Sequence, residues 1–377
     1  MVRARPSSAA SRGAWLGANL TDEIVRAGRG RDMSDAEFEV RRAWDATVAD
    51  AGWGAMSWPQ EYGGRGASAL EQLVHAEEIT RARTPLPLNV IGINNIGPAI
   101  MQYGTEAQKR ELLPRMVRAD DIWCQGMSEP EAGSDLASLR TRAVRQGDHF
   151  IVNGQKVWTS LGHRADWCQL YVRTDPDAPK HKGIGYFLVD MNTPGIRIRP
   201  LRTASGDAHF NEVFFDDVFV PDAMLVGEPT AGWSHALSTM ANERVAIGAY
   251  VKLDKERELR ALAERAGAEG GDIRRALGEV RANSNAIGAL AVRDTLGRLA
   301  GHGPGPASSV GKVATALLTR RVTAAALELS GRAAMVGGPD QPAVQQSLFM
   351  PAEVIGGGTM EIQLNIIATM ILGLPRR

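Results

Sequence analysis

Apolar residues recur three and four apart over TDEIVRA, DAEFEVRRAWDATVADAG and SALEQLVHAEEITRA, the spacing of one buried helix face. This pattern predicts helices across residues 15–119. Ser34 and Asp35 suit a helix start, Gly52 suits a stop, and the turn-rich WPQEYGGRG at 58–66 separates two helices. From about residue 120 the period shortens to two. TRAVRQGDHFIVNGQKVWTS reads as three short strands, turning at Gly147-Asp148 and at the hairpin dipeptide Asn153-Gly154. WCQLYVRT, GIGYFLVD, GIRIRPL and NEVFFDDVFVP continue as strands, which suggests a small barrel or sandwich. Helical text resumes near Gly232 and runs to the end in stretches long enough for a bundle, with GHGPGPASS as the clearest linker. The order is helices, strands, helices, without an internal repeat. The expected domains are 1–119, 120–228 and 229–377 in an α+β chain.

Composition adds limits. A chain of 377 residues exceeds one ordinary core, so two or three domains are expected. It is 44% hydrophobic and 23% charged, as in soluble globular proteins. Forty-three basic residues balance forty-three acidic ones, which gives no electrostatic case for nucleic acid as the main partner. Cys124 and Cys168 cannot form a disulfide framework or a four-cysteine zinc site, and the seven histidines show no ligand spacing. The N-terminus is basic but lacks the apolar run of a secretory signal, and no stretch reads as a membrane span. A cytoplasmic protein is the expectation.

Four stretches could carry chemistry. In SEPEAGSD, Gly133 would let backbone approach a ligand, and Ser128 and Ser134 could donate to carbonyl or phosphate oxygens. Read alone, such a loop is more often a surface turn. In VWTS, Trp158 could pack against a ring system while a following hydroxyl meets a ring nitrogen. A buried core tryptophan is the equal alternative. In MANERVAIG, Trp233, Leu237, Met240, Ile247 and Val251 form an apolar stripe that contains Arg244 and is flanked by Glu243. A half-buried carboxylate is the usual origin of a tuned base, although a solvated Glu-Arg pair is the commoner case. In VIGGGTMEIQ, successive glycines before Thr359 would let backbone N–H groups face a ligand just ahead of a helix. An ordinary loop with a threonine N-cap is the plain alternative.

Together these pieces resemble the acyl-CoA dehydrogenase family. SEPEAGSD is similar to its E-P-x-A-G-S-D loop, NGQKVWTS followed by ADW to its N-G-x-K-x-W-[IT]-[ST] stretch, VFFDDVFVP to the strand closing its middle domain, and GGGTMEIQLNIIA to its C-terminal G-T-x-E-I-Q segment. The resemblance covers nearly the whole chain in order. It implies an N-terminal helical domain, a middle β-barrel-like domain and a C-terminal four-helix bundle, with FAD between the last two. By this resemblance Met127 and Ser128 would contact the flavin ring, Trp158 would pack beside it, and Ser160 would hydrogen-bond flavin N5. Thr159 and Thr359 join the cofactor-binding positions. Ser134 and Arg244 would serve the thioester substrate.

Many family members carry the catalytic base as a glutamate just before G-T in the C-terminal loop, where this chain has Gly357. A subgroup places it on the first bundle helix directly before an arginine, and Glu243-Arg244 matches that pattern. The resemblance therefore implies that Glu243 removes the α-proton of an acyl thioester while the β-hydrogen leaves as hydride to flavin N5. The Gly357 N–H and a flavin ribityl hydroxyl would bind the thioester oxygen.

The chain also departs from the family. RANSNAIGALAVRDTLG holds no clear R-x-x-F-G segment, ELSGRAAMVGG has Glu328 or Ser330 where a glutamine is usual, and Met360 and Leu364 replace a serine and an arginine. Those segments normally complete the FAD site across a subunit contact. Their loss implies a second, homologous subunit in an α2β2 heterotetramer, with a homotetramer as the competing outcome. The implied partners are an acyl-CoA or carrier-protein thioester and an electron-transfer flavoprotein or similar acceptor. ASRGAWLGANL resembles the end of the family's first helix, so a preceding turn or more is expected to be absent. A same-fold flavin oxidase or monooxygenase and a non-catalytic partner subunit stay open.

Overall fold

The computed structural model describes residues 9–28, 30, 32–240, 255–265, 270–301, 305–336 and 341–375. The chain divides into two units, one of residues 1–202 with 208–242 and one of 203–207 with 243–377.

The larger unit opens with helices α1 (Ala9–Asn19), α2 (Asp22–Ala27), α3 (Asp35–Asp50), α4 (Ala69–Ala82), α5 (Gly97–Tyr103) and α6 (Glu106–Arg118). Their starts are chemical. Ser34, Ser68 and Thr105 each accept from a backbone N–H three residues on, and Glu37, Glu71 and Gln108 reach back to the cap backbone. A π-helical turn, Gly92–Ile96, leads into α5 and is closed by the Gly97 N–H on Gly92 O. Trp58, Ile100, Leu112, Leu113 and Met116 pack these helices into one apolar cluster with Trp123, Tyr171, Tyr186 and Leu188 of the following sheet.

That sheet has seven strands: β1 (Trp123–Gly126), β2 (Arg142–Gln146), β3 (His149–Ser160), β4 (Trp167–Arg173), β5 (Ile184–Asp190), β6 (Ile196–Leu201) and β7 (Phe210–Pro221). Its order is β1-β4-β2-β3-β7-β6, with β5 on β4. β1 lies parallel to β4, whereas β3, β7 and β6 are antiparallel neighbours. β4 is buried on both faces. Cys168, Leu170 and Val172 join Phe150, Val152, Phe187 and Val213 in a second core, while Tyr171 faces the helices. A helix over 232–240, α7, ends the described part of this unit.

One sequence expectation holds here and two change. Gly147 does turn β2 into β3, with φ at 65° and Gln146 opposite His149. Asn153-Gly154 does not turn. β3 continues through it with a bulge, because Asn153 Nδ2 bonds Asp217 Oδ1 (2.9 Å) across the sheet and Gly154 sits against Thr141. On α7, Leu237 is exposed, while His235, Ala236 and Thr239 are buried. Trp233 and Met240 of the expected stripe do pack against the core, and Ile247 and Val251 lie outside the described residues. At Leu237 the helix face is instead set by its neighbours, the His235 ring 3.9 Å from that of Tyr103 and Thr239 paired with Tyr171.

In the second unit, α8 (Lys255–Arg265), α9 (Gly271–Leu299) and α10 (Ala307–Val336) bury Leu259, Val280, Ile287, Leu318 and Val322. α10 is kinked at Gly331. α11 (Pro342–Ile355) and α12 (Met360–Ile366) follow. By length and composition the stretch Pro342–Ile371 could cross a membrane, contrary to the sequence expectation. It is broken at Gly356, however, and its longest α-helix is 14 residues, short of the roughly 20 that a span requires. The helical N- and C-terminal parts around a mixed sheet are the α+β layout expected.

Candidate flavin and thioester site

The SEPEAGSD loop leaves β1 and is fastened to β3 at three points. Lys156 Nζ donates to Glu129 Oε1 (2.8 Å) and to Met127 O (3.0 Å), and Val157 N donates to Ser128 O (2.9 Å). Glu129 also accepts from Arg140 N (2.6 Å) and Thr141 N (2.9 Å), and its own backbone closes on Ala132 at 2.9 and 3.1 Å. Both members of this ion pair are buried. Burial alone would raise the Glu129 carboxyl. The charge and hydrogen bond of Lys156, with those from Thr141 and Arg140, outweigh it and hold the group below its ordinary range. Burial also lowers Lys156, against the pull of Glu129. The sequence reading missed this clamp. Phe150 and Val152 set an inward phase on β3, and Lys156 falls on it, so a lysine needing a buried carboxylate was a readable signal.

Beyond the clamp β3 loses register between Lys156 and Thr159. Trp158 takes a left-handed φ of 62° and Leu161 one of 55°, a conformation that costs a non-glycine residue about 1–2 kcal/mol. The Trp158 indole is 60% exposed, and one edge meets Phe210 at 5.9 Å between ring centroids. A strained residue that turns a large ring outward is characteristic of a ligand site. It also rules against the core-tryptophan alternative. Thr159 is buried, its Oγ1 without a hydrogen-bond partner among the described residues, while its carbonyl accepts from Asn211 Nδ2 (2.9 Å). Ser160 is half-buried at the strand end. Ser134 and Gly133 are exposed on the loop. The neighbouring Asp135 carboxyl is lowered by its hydrogen bond from Ser138 and by Lys180, whose Nζ lies 2.9 Å away. The loop and the VWTS turn are thus fastened into one surface carrying Met127, Ser128, Trp158 and Ser160, with Thr159 buried between Trp158 and Ser160 in the chain.

The second unit holds the other sequence-predicted stretch. Gly357 and Gly358 have φ of 73° and 97°, and Thr359 caps α12 by accepting from Ile362 N (3.3 Å). Gln363 is fully buried and donates to Gly357 O (3.2 Å). The φ of Gly358 favours glycine, and a Cβ there would stand 2.5 Å from Gln363 Nε2 and push that amide aside. Glu243 and Arg244 lie outside the described residues. Among the described residues no group of His, Cys, Asp or Glu could hold a metal ion.

Comparison with known proteins defines the class. Residues 20–120, 124–218 and 230–372 match the acyl-CoA dehydrogenase N-terminal, middle and C-terminal domain models. The chain belongs to the acyl-CoA dehydrogenase family. Among its relatives is acyl-CoA dehydrogenase IpdE1 of Mycobacterium tuberculosis, 39% identical over 372 residues, which cover 96% of both chains. The fold is also that of a solved structure described as the Tcur3481-Tcur3483 steroid ACAD, with a TM-score of 0.84 at 31% identity over 98% of this chain and 97% of that one. The ChsE4-ChsE5 complex from Mycobacterium tuberculosis matches at a TM-score of 0.82 and 34% identity, over 98% of this chain and 97% of that one.

Proposed function

We propose that the protein is an FAD-dependent dehydrogenase of acyl thioesters. The observation that carries this reading is the Trp158 surface: an exposed indole held in a strained conformation, beside a buried Thr159 hydroxyl that has no partner among the described residues, on a loop clamped by Glu129 and Lys156. These residues fit a flavin, whose flat ring offers an apolar face and polar edges. Met127, Ser128, Trp158, Thr159 and Ser160 would hold the flavin, and Thr359 is proposed as a further cofactor-binding hydroxyl. FAD, when bound, accepts the β-hydrogen of the thioester as hydride.

The chain supplies the rest. Glu243 takes the α-proton, and desolvation under the acyl chain raises its basicity. Arg244 and Ser134 orient the polar part of the thioester. The Gly357 N–H donates to the thioester oxygen and stabilises the developing enolate. The test is Glu243→Gln. The variant should remain yellow with bound FAD and lose bleaching by substrate; near-normal bleaching overturns the assignment. Oxygen consumption in place of transfer to an electron-transfer flavoprotein or artificial acceptor would favour the oxidase reading.

The working assembly includes a homologous second subunit. Two of the structural relatives carry two-component names, and this chain lacks the R-x-x-F-G segment. At its C-terminal end Leu364, Met370, Leu372 and Leu374 are exposed. If the chain expressed alone holds one FAD per chain and is active, this part fails.

A further inference from the structure

Five polar side chains form a hydrogen-bonded chain through the apolar interior of the larger unit, and the chemistry above uses none of them. Asn95 Nδ2 donates to Gln125 Oε1 (3.3 Å), and Gln125 Nε2 donates to Gln169 Oε1 (2.7 Å). Gln169 Nε2 in turn donates to the hydroxyls of Tyr171 (3.2 Å) and Thr239 (3.4 Å), which are 3.1 Å apart. The residues come from the π turn before α5, from β1, from β4 and from α7. Parallel pairing sets Trp123 beside Trp167 and Gln125 beside Gln169, so an aromatic pair is followed by an amide pair. Ile96, Tyr186, Met127, Trp233 and Met240 belong to the same cluster as Trp123.

Buried amides stabilise a core only when paired, and apolar side chains would fill this space without that demand. Three observations point to a ligand instead. Gln125 is the one member not fully buried. It precedes Met127 by two residues, about 7 Å along an extended strand. The network therefore runs from Gln125, next to the SEPEAGSD loop, to Thr239 on α7. Trp123, two residues before Gln125 on β1, has its Nε1 buried without a partner among the described residues. Finally, Asn95 is carried on a π turn, a distortion found mostly at functional sites.

Building on the acyl-thioester reading, we infer that Asn95 and Gln125 bind a neutral oxygen on the acyl group, a hydroxyl or ketone remote from the thioester. An amide pair can donate to either and can accept from a hydroxyl. None of these five side chains is a cation, which disfavours a carboxylate. Asn95 and Gln125 are then specificity-determining residues that reject pure hydrocarbon acyl groups.

The test uses the FAD-loaded enzyme in its natural assembly and two thioesters with the same carbon skeleton, one bearing a remote hydroxyl or ketone. The wild type should favour the oxygenated thioester in kcat/KM by about tenfold, the size of one net hydrogen bond. Gln125→Met should bring that ratio close to one. If that variant fails to fold, Asn95→Leu decides by the same ratio. Bleaching by both thioesters with an unchanged ratio in the variant, or a wild-type preference for the hydrocarbon, overturns this inference alone. No bleaching by either thioester overturns the dehydrogenase reading with it.

Discussion

Lys156 Nζ lies 2.8 Å from Glu129 Oε1, and both side chains are withdrawn from water. This contact joins two segments 27 residues apart into one surface. A buried ion pair is costly to form but more costly to break by halves, because the survivor keeps its desolvation penalty without its partner. Glu129→Gln should therefore lower unfolding stability by about 3–5 kcal/mol at neutral pH. The pH dependence has a definite sign. The Glu129 carboxyl is held below its ordinary 4.5, so its contribution is complete above that pH and disappears as pH falls through the lowered folded value. Denaturant unfolding of both proteins from pH 7 downward should show the gap narrowing in acid. A gap that widens would mean the pair is not what stabilises the loop.

Asp45 predicts the opposite slope. It is buried on α3, and burial pushes its carboxyl up to about 7, against the hydrogen bond from Leu88 N and the charge of Arg41. A raised value contributes stability fully below the ordinary 3.8 and loses it as pH rises through about 7. Asp45→Asn keeps an acceptor for Leu88 N, 2.6 Å away in the wild type, and removes the titration. The variant should be more stable than wild type at pH 8 by on the order of 2 kcal/mol, with little difference at pH 4. Equal melting curves at pH 8 would place a persistent proton or a compensating cation at Asp45.

Trp158 separates stability from ligand binding. Its left-handed φ costs about 1–2 kcal/mol in a non-glycine residue. Relief of that strain in Trp158→Gly offsets the lost edge contact with Phe210 and the added freedom of glycine in the unfolded chain. Stability should stay within about 1 kcal/mol of wild type, whereas a core tryptophan would cost roughly 3–5 kcal/mol. FAD retained per chain should fall severalfold. Full flavin occupancy in a stable variant would remove Trp158 from the cofactor surface.

What could be read from the sequence divides by the range of the interaction involved. The helix caps at Ser34 and the turn at Gly147 were legible because their partners lie within a few residues. Asn153-Gly154 misled because its decisive partner, Asp217, is 64 residues away on β7. Leu237 misled for a similar reason: the environment of α7 is set by Tyr103 and Tyr171 on other elements, not by its own periodicity. At the candidate site, the exposure of Trp158 depends on a bulge that no local pattern announces. Lys156 was within reach, since its place on the inward phase of β3 demanded a buried acid.

The last prediction concerns where the base can stand. Glu243 and Gly357 are complementary positions in the proposed site, one carrying the carboxylate and the other a small residue with φ of 73°. Glu243→Gln alone should abolish bleaching of the bound flavin. Adding Gly357→Glu should restore part of it, because it puts a carboxylate just before Gly358-Thr359, where many acyl-CoA dehydrogenases carry their base. Recovery should be incomplete. A glutamate at that φ pays about 1–2 kcal/mol of backbone strain, and it disturbs the N–H proposed to hold the thioester oxygen. Stopped-flow bleaching of the three proteins by one thioester checks this. A double variant as inert as the single one, yet still holding FAD, would mean that Gly357 does not face the reacting carbon.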